Sequence, residues 1–136
     1  MKEPDHYRIG QAAELSGVTA KMIRHYEALG LIPKAARSGS DYRVYSTHDL
    51  HALRFVRRAR DLGFSMRETA ALLGLWRNKR RASAEVKRLG KKHVQELDRK
   101  IAELKAMRAT LQHLVERCHG DERPECPILD DLEHHE

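Results

Sequence analysis

The chain holds only two cysteines, Cys118 and Cys126, with seven residues between them in the stretch CHGDERPECPIL. Pro124 and Pro127 stiffen this stretch and reduce the entropy cost of closing it, so the two thiolates can face each other across one small ion. Two thiolates alone suit a soft monovalent ion such as Cu(I), Ag(I) or Au(I), which accepts linear coordination. The spacing therefore predicts a two-thiolate metal site.

Other ligand sets fit this pair less well. Zinc usually takes four ligands, and His119 is adjacent to Cys118, where side chains rarely converge on one ion. His134 and His135 lie in a polar tail, and the role of all three histidines stays open. An iron–sulfur cluster usually takes four cysteines. Two reduced surface thiols and a redox-switch disulfide remain alternatives.

The composition restricts the class of protein. The 136 residues are enough for about one domain, 34% of them are charged, and the net charge of +6 favours a polyanionic partner without proving one. No apolar run approaches the roughly 20 residues that span a bilayer, and the N-terminus has no signal-peptide core. We therefore expect a cytosolic protein with no membrane partner. No constellation of side chains suggests an enzyme.

Residues 7–32 (YRIGQAAELSGVTAKMIRHYEALGLI) predict two short helices. Ser16, Gly17 and Val18 form a tight turn between them, and Thr19 is placed to cap the second helix. This pattern is typical of a helix-turn-helix, whose second helix can enter the major groove of DNA.

Residues 33–46 (PKAARSGSDYRVYS) combine turn residues with strand formers, which predicts a β-hairpin wing displaying Arg37 and Arg43. A plain surface loop is the alternative. Two more helices follow, capped by Ser46 and by a Ser65–Glu68 capping box. The apolar residues expected to face inward from the first of them are Leu50, Leu53, Val56 and Leu62.

A long helix is predicted from residue 82 to 117, because this segment has no proline and a heptad repeat of aliphatic side chains. At 1.5 Å per residue it is roughly 50 Å long. Such a helix cannot bury its own apolar seam, so it needs a partner helix, most simply from a second copy of the chain. A helix lying across its own domain is the alternative. The seam residues are Val94, Leu97, Ile101, Leu104, Leu111 and Val115.

The direction of pairing decides what meets the cysteines. Ser83 and Cys118 are five heptads apart in the same register, so an antiparallel pair would bring Ser83 of one chain beside Cys118 of the other. Lys87, one turn further on, could then balance the negative charge of a two-thiolate centre, together with the N-terminal end of the helix. A parallel pair would separate these residues by the whole helix, and these residues alone do not choose between the two.

Several motifs resemble the MerR family of bacterial transcription regulators over nearly the whole chain. IRHYEALGLI, YRVYS and ARDLGFSM resemble its DNA-binding pattern, and SAEVKR followed by CHGDERPECPIL resembles its copper-efflux, CueR-like branch. The resemblance implies an all-α fold with a small β-hairpin wing. It implies a winged helix-turn-helix domain at 1–75, a linker at 76–81, an antiparallel coiled-coil dimerisation helix at 82–117, and a metal-binding loop and tail at 118–136.

The resemblance also implies roles for single residues. Cys118 and Cys126 match the two metal thiolates, Ser83 matches a position that is cysteine in zinc and mercury sensors, and Lys87 matches a charge-balancing lysine. The DNA contacts that it implies lie on the recognition helix (the second helix of the helix-turn-helix), on the wing, and at a second helix-turn-helix-like corner, the turn at residues 63–64 between the two helices that follow the wing. They are Thr19, Lys21, Arg24, Tyr26, Arg37, Tyr42, Arg43 and Arg60.

The implied function is activation of metal-efflux genes in response to Cu(I) or Ag(I). A homodimer would bind a palindrome in double-stranded promoter DNA and distort it until RNA polymerase engages both promoter elements, at a cost of a few kcal/mol. Two other hypotheses remain. One is a soluble copper-buffering protein with an incidental basic domain, and the other is a MerR-type regulator that senses a drug or an oxidant.

Overall fold

The computed structural model describes residues 6–33, 36–37 and 43–134, and of residues 36 and 37 it describes the backbone alone. The chain divides into two compact units, residues 1–86 and 87–136. The four-part division expected from the sequence stays a prediction. The elements within the described residues are α1 (Ile9–Ser16), α2 (Ala20–Ala28), β1 (Ala36–Arg37), β2 (Arg43–Val44), α3 (Thr47–Asp61), α4 (Met66–Arg77), α5 (Ser83–Arg117) and α6 (Pro127–His134).

Helices α1 and α2 form the expected helix-turn-helix. Gly17 turns the chain with a φ of 76°, a left-handed conformation that glycine adopts without steric cost. The Ser16 hydroxyl accepts a hydrogen bond from Val18 N at 3.1 Å, and the Thr19 hydroxyl accepts one from Met22 N at 3.2 Å. The predicted cap at Thr19 is therefore confirmed.

The wing is a hairpin and not a plain loop. Strands β1 and β2 pair antiparallel, with Arg37 opposite Arg43. At its base, Tyr7 and Tyr45 exchange two backbone hydrogen bonds of 2.8 and 2.7 Å. The chain just before α1 therefore anchors the wing to the helix-turn-helix.

Helices α3 and α4 start at the predicted caps. Ser46 forms a capping box with Asp49, and Ser65 forms one with Glu68. The expectation that Leu62 faces inward is wrong: it ends α3 as the C-cap residue and is 48% exposed. The core of this unit draws on both helix pairs and the wing base, and its fully buried members include Ala12, Ile23, Ile32, Tyr45, Leu53, Val56 and Leu73.

The second unit contains most of α5 and all of α6. Helix α5 covers 35 residues from Ser83 to Arg117, close to the predicted 82–117. Helix α6 was not predicted, because the segment after Cys126 was interpreted as a polar tail. Pro127 is its first residue, a position where the missing N–H of proline costs nothing. Of the helices in the described residues, none is long and apolar enough to cross a membrane.

Candidate metal centre and nucleic-acid interface

The two cysteines sit at facing helix ends. The Cys118 backbone N–H donates to the carbonyls of Leu114 and Val115, both at 3.1 Å, so Cys118 closes the last turn of α5. Gly120 then reverses the chain with a φ of 68°. The carbonyl of Cys126 accepts a hydrogen bond from Asp130 N at 3.0 Å, so Cys126 stands where α6 begins. The loop between them is thus fixed by helical structure on both sides.

The sulfurs of Cys118 and Cys126 are 3.8 Å apart, both residues are half-buried, and neither forms a disulfide. A disulfide would need a separation of about 2.05 Å. With metal–sulfur bonds of about 2.3 Å, as for zinc, a linear ion needs the sulfurs roughly 4.6 Å apart and a tetrahedral ion needs them about 3.8 Å apart. The pair therefore fits metal binding, and the number of donors, more than this distance, distinguishes one ion from another.

The local electrostatics favour a thiolate at Cys126. The backbone N–H of Leu129 is the main cause that lowers the pKa of this thiol below its usual 9.0. Desolvation opposes the effect, while the N–H of Ile128 and the sulfur of Cys118 add to it. Both N–H groups belong to the first turn of α6, where unpaired amides and the helix dipole stabilise negative charge.

Charged groups in the loop pair with each other. One carboxylate oxygen of Asp121 accepts from Arg123 N at 2.9 Å, and the other accepts from the Arg123 guanidinium at 2.8 Å. The Arg123 side chain lowers the pKa of the Asp121 carboxyl. The loop therefore holds its turn by an ion pair of its own, without using the two sulfurs.

Helix α6 packs along the end of α5 and leaves a groove of about 380 Å³ between them. Further along α5, the predicted seam faces solvent in the single chain. The seam residues that are about half exposed or more are Val94 (56%), Ile101 (50%), Leu104 (60%), Leu111 (53%) and Val115 (48%). An aliphatic row this exposed in a single chain is the feature that the predicted partner helix would cover.

Ser83 and Lys87 lie in the first turns of α5, and Cys118 directly follows its last residue. The helix between these two ends has 35 residues. At 1.5 Å per residue this separation is roughly 50 Å. Within one chain they therefore cannot act on the sulfurs. Their predicted part in the metal centre requires a second chain and stays a prediction.

The predicted DNA contacts on the recognition helix divide by exposure. Thr19, Lys21 and Arg24 are exposed at the start and middle of α2. Tyr26 is only 5% exposed and belongs to the core of the first unit. Its contact with DNA stays a prediction, and only the small exposed part of its side chain could make that contact.

On the wing, the side chain of Arg43 is exposed at the start of β2, and one of its nitrogens lies 3.6 Å from a carboxylate oxygen of Glu27. The structure gives the backbone alone for Arg37, and Tyr42 lies outside the described residues. The DNA contacts predicted for Arg37 and Tyr42 therefore stay predictions. Arg60 donates to the carbonyl of Phe64 at 2.7 Å, which places its guanidinium at the second corner, as expected.

Basic side chains also surround the turn of the helix-turn-helix. The Arg54 guanidinium donates two hydrogen bonds to the carbonyl of Leu15, at 3.2 and 3.1 Å. Arg57 lies over Gly17, so that a Cβ added there would overlap its guanidinium. These arginines line a recess of about 370 Å³ together with Arg58.

Sequence reasoning missed the buried carboxylate of Glu27. Its Oε1 accepts a hydrogen bond from the hydroxyl of Tyr45, and its Oε2 faces Arg43. A signal was present, because Glu27 follows Ile23 by four residues and therefore shares the buried face of α2. An acidic residue on the apolar face of a short helix indicates a buried partner.

Comparison with known proteins covers both units. Residues 7–75 match the family described as MerR HTH family regulatory protein, and residues 50–114 match the family described as MerR, DNA binding. The chain is 55% identical to heavy metal-dependent transcription regulator 1 of Rhizobium meliloti over 91% of this chain and 85% of that protein. It is 41% identical to the transcriptional regulator CueR of Salmonella typhimurium, over 91% and 90% of the two chains.

A solved structure of a related regulator has the same fold. The fold matches that of the transcription regulator PbrR691 from Ralstonia metallidurans CH34, which was solved in complex with lead(II). The TM-score is 0.80 at 32% identity, and the match covers 93% of this chain and 98% of that one. The arrangement of a winged helix-turn-helix followed by a long helix is therefore common to both proteins.

Proposed function

The chain belongs to the MerR family of helix-turn-helix regulatory proteins, and from this premise we propose that it is a Cu(I)- or Ag(I)-responsive transcription activator. Its families and relatives are DNA-binding transcription regulators and not enzymes. In the proposal, a cytoplasmic homodimer binds a palindrome in double-stranded promoter DNA. It then acts with RNA polymerase to switch on metal-efflux genes.

The observation that carries the metal assignment is the number of thiol donors: the chain has two cysteines and no third. Their sulfurs are 3.8 Å apart, close enough to bind one ion together. Two thiolates satisfy a soft monovalent ion, whereas divalent ions such as zinc usually take four ligands. Lead(II), the ion in the complex of the 32% identical regulator, is divalent. Au(I) has the same preference as Cu(I) and Ag(I) and belongs to the same proposal.

Compensation of charge supports a buried two-thiolate centre. Two thiolates and one monovalent ion carry a net negative charge, which is costly to bury without a positive partner. The N–H groups of Leu129 and Ile128 supply one favourable field. Lys87 of a second chain supplies the other when the α5 helices pair antiparallel, and Ser83 of that chain then approaches Cys118 without adding a thiolate.

The exposed seam of α5 supports the homodimer. Its aliphatic residues repeat at heptad spacing along most of the helix, and in the single chain they face solvent. Burying them against a second copy stabilises both helices by roughly 25 cal/mol for each Å² of apolar surface removed from water. A closed twofold pair then spaces two helix-turn-helix units for the two halves of a palindrome.

The link from the loop to DNA is a difference in stability between two conformations of the dimer. Cys118 at the end of α5 and Cys126 at the start of α6 would hold the ion between their sulfurs, and the ion would supply a link between the two helix ends. Cys118 and Cys126 thereby fix the angle at which α6 leaves the loop. The loop favours DNA distortion only if it is more stable in the distorting conformation, because a ligand shifts an equilibrium by its differential affinity.

The experiment that tests this proposal replaces each thiol. We expect Cys118→Ser and Cys126→Ser to abolish high-affinity Cu(I) binding and copper induction of a reporter, while affinity for a promoter duplex changes by no more than about twofold. The matched control is His119→Ala, which should keep both properties. Full copper induction in either cysteine variant would contradict the two-thiolate site, and failure of the wild type to bind any defined duplex would favour copper buffering.

A further inference from the structure

One carboxylate joins the recognition helix to the wing in the first unit. Glu27 is near the end of α2, and its side chain is only 7% exposed. Its Oε1 accepts a hydrogen bond from the hydroxyl of the fully buried Tyr45, and its Oε2 lies 3.6 Å from the guanidinium of Arg43. The side chain of Arg43 is itself 51% exposed. A buried acid therefore connects a core residue with an arginine on the surface of the wing.

Stability alone does not account for an acid at this place. A carboxylate loses favourable hydration when it is buried, and near the C-terminal end of a helix the dipole disfavours negative charge. Apolar residues that replace a buried ion pair often leave a protein as stable as before, or more stable. The position of Glu27 is better explained by what it does to Arg43.

We infer that Glu27 is a positioning residue for DNA binding, which holds the guanidinium of Arg43 in the orientation that meets a phosphate of the DNA backbone. The inference rests on the DNA contact that the MerR resemblance implies for Arg43, which we propose is a contact with a backbone phosphate. Arginine presents five N–H donors in a rigid fork, so a contact with Glu27 leaves other donors for a phosphate. Holding the side chain before binding reduces the conformational entropy lost on binding.

Tyr45 fixes the orientation of the Glu27 carboxylate. Because Tyr45 is fixed both by the core and by backbone hydrogen bonds to Tyr7, its hydroxyl holds one oxygen of Glu27 in place. The other oxygen is then aimed at the start of β2, where Arg43 lies. Recognition helix and wing are thus set relative to each other through one carboxylate.

An alternative role for Glu27 predicts the opposite effect of its removal on DNA binding. If the carboxylate merely attracted Arg43 away from DNA, its removal would free the arginine and strengthen binding. If Glu27 positions Arg43, its removal weakens binding, and the loss disappears once Arg43 is gone. A double-mutant cycle separates these roles from a general structural effect, which would be the same with and without Arg43.

The test uses Glu27→Gln, Arg43→Ala and the double variant of the full chain. Binding is measured by fluorescence anisotropy on a labelled duplex, which is selected from a random-sequence pool with the wild-type protein. We expect Glu27→Gln to weaken binding about tenfold in the wild-type background and no more than about twofold in the Arg43→Ala background. Glu14→Gln, which removes the same charge from an exposed site on α1, is the control and should change binding no more than about twofold.

Stronger or unchanged binding by Glu27→Gln, or an equal loss in both backgrounds, would overturn the inference while leaving the proposed function intact. If Arg43→Ala binds as tightly as the wild type, the proposed phosphate contact fails, and the inference fails with it. Thermal unfolding checks that each variant is folded. If Glu27→Gln does not fold, Tyr45→Phe replaces it in the cycle: a loss that vanishes with Arg43→Ala supports the inference, and a loss that persists overturns it.

Discussion

Tyr45 donates its hydroxyl hydrogen to Glu27 inside the core of the first unit, where neither side chain is appreciably exposed. The two residues come from different elements, since Glu27 lies on α2 and Tyr45 follows β2 directly. A hydrogen bond to a charged acceptor in a poorly hydrated site is stronger than one between neutral groups. This pair therefore contributes both to stability and to the placement of the wing.

The stability of the protein should depend on pH through Tyr45. Burial, followed by the hydrogen bond and the negative charge of Glu27, raises the pKa of Tyr45 well above its ordinary value of 10.0. The folded state therefore keeps a proton that the unfolded chain releases, and its stability falls as pH rises above about 10, by up to about 1.4 kcal/mol per pH unit. Urea unfolding at intervals between pH 9 and pH 12 measures this slope.

Tyr45→Phe is the matched variant for this measurement. It should be less stable at pH 8 by about 1–3 kcal/mol, because it leaves a buried carboxylate without its donor. Above pH 10 its stability should fall less steeply than that of the wild type, since the titrating phenol is gone. Parallel curves for the two proteins over this range would show that Tyr45 does not carry the alkaline dependence.

Much of the first unit follows from local signals in the sequence. Thr19, Ser46 and Ser65 cap helices because a side-chain oxygen can satisfy a free N–H at a helix start, and this requirement is local. The turn at Gly17 is local for the same reason. The pairing of Arg37 with Arg43 follows from a short hairpin, whose loop length limits the possible registers.

Other features depend on contacts between distant residues, and these were missed or wrong. Leu62 was expected to face inward, yet it follows Leu53 by nine residues and so falls on the opposite face of a 3.6-residue helix, and α3 ends just before it. The ion pair of Glu27 with Arg43 joins residues 16 positions apart, which periodicity cannot detect. Helix α6 is only eight residues long, and it borders the groove on α5 that no local pattern reveals.

The α5 seam gives a prediction about assembly. Leu104 lies in the middle of the seam and is 60% exposed in the single chain. Leu104→Glu would place a carboxylate in an apolar interface, so we expect the dissociation constant of the dimer to rise on the order of 100-fold. Analytical ultracentrifugation over a concentration series measures this constant.

A charge change outside the seam is the control for that experiment. Arg99 is exposed on α5 and falls two positions after the seam residue Leu97, on the outer face of the heptad. Arg99→Glu should leave the dissociation constant within about threefold of the wild-type value. If Leu104→Glu dimerises as tightly as Arg99→Glu, α5 does not pair through this seam.

The last prediction concerns the number of ligands at the metal centre. In an antiparallel dimer, Ser83 of one chain approaches Cys118 of the other, so Ser83→Cys adds a third thiolate to each site. Since divalent ions prefer more donors than two, we expect the affinity for Zn(II) to rise at least about tenfold, with a reporter response to zinc that the wild type lacks. Competition with a zinc chelator measures the affinity. Ser83→Ala is the control and should keep the Cu(I) response with no gain for zinc. Unchanged zinc affinity in Ser83→Cys would mean that the third thiolate does not reach Cys118, which would contradict antiparallel pairing in this register.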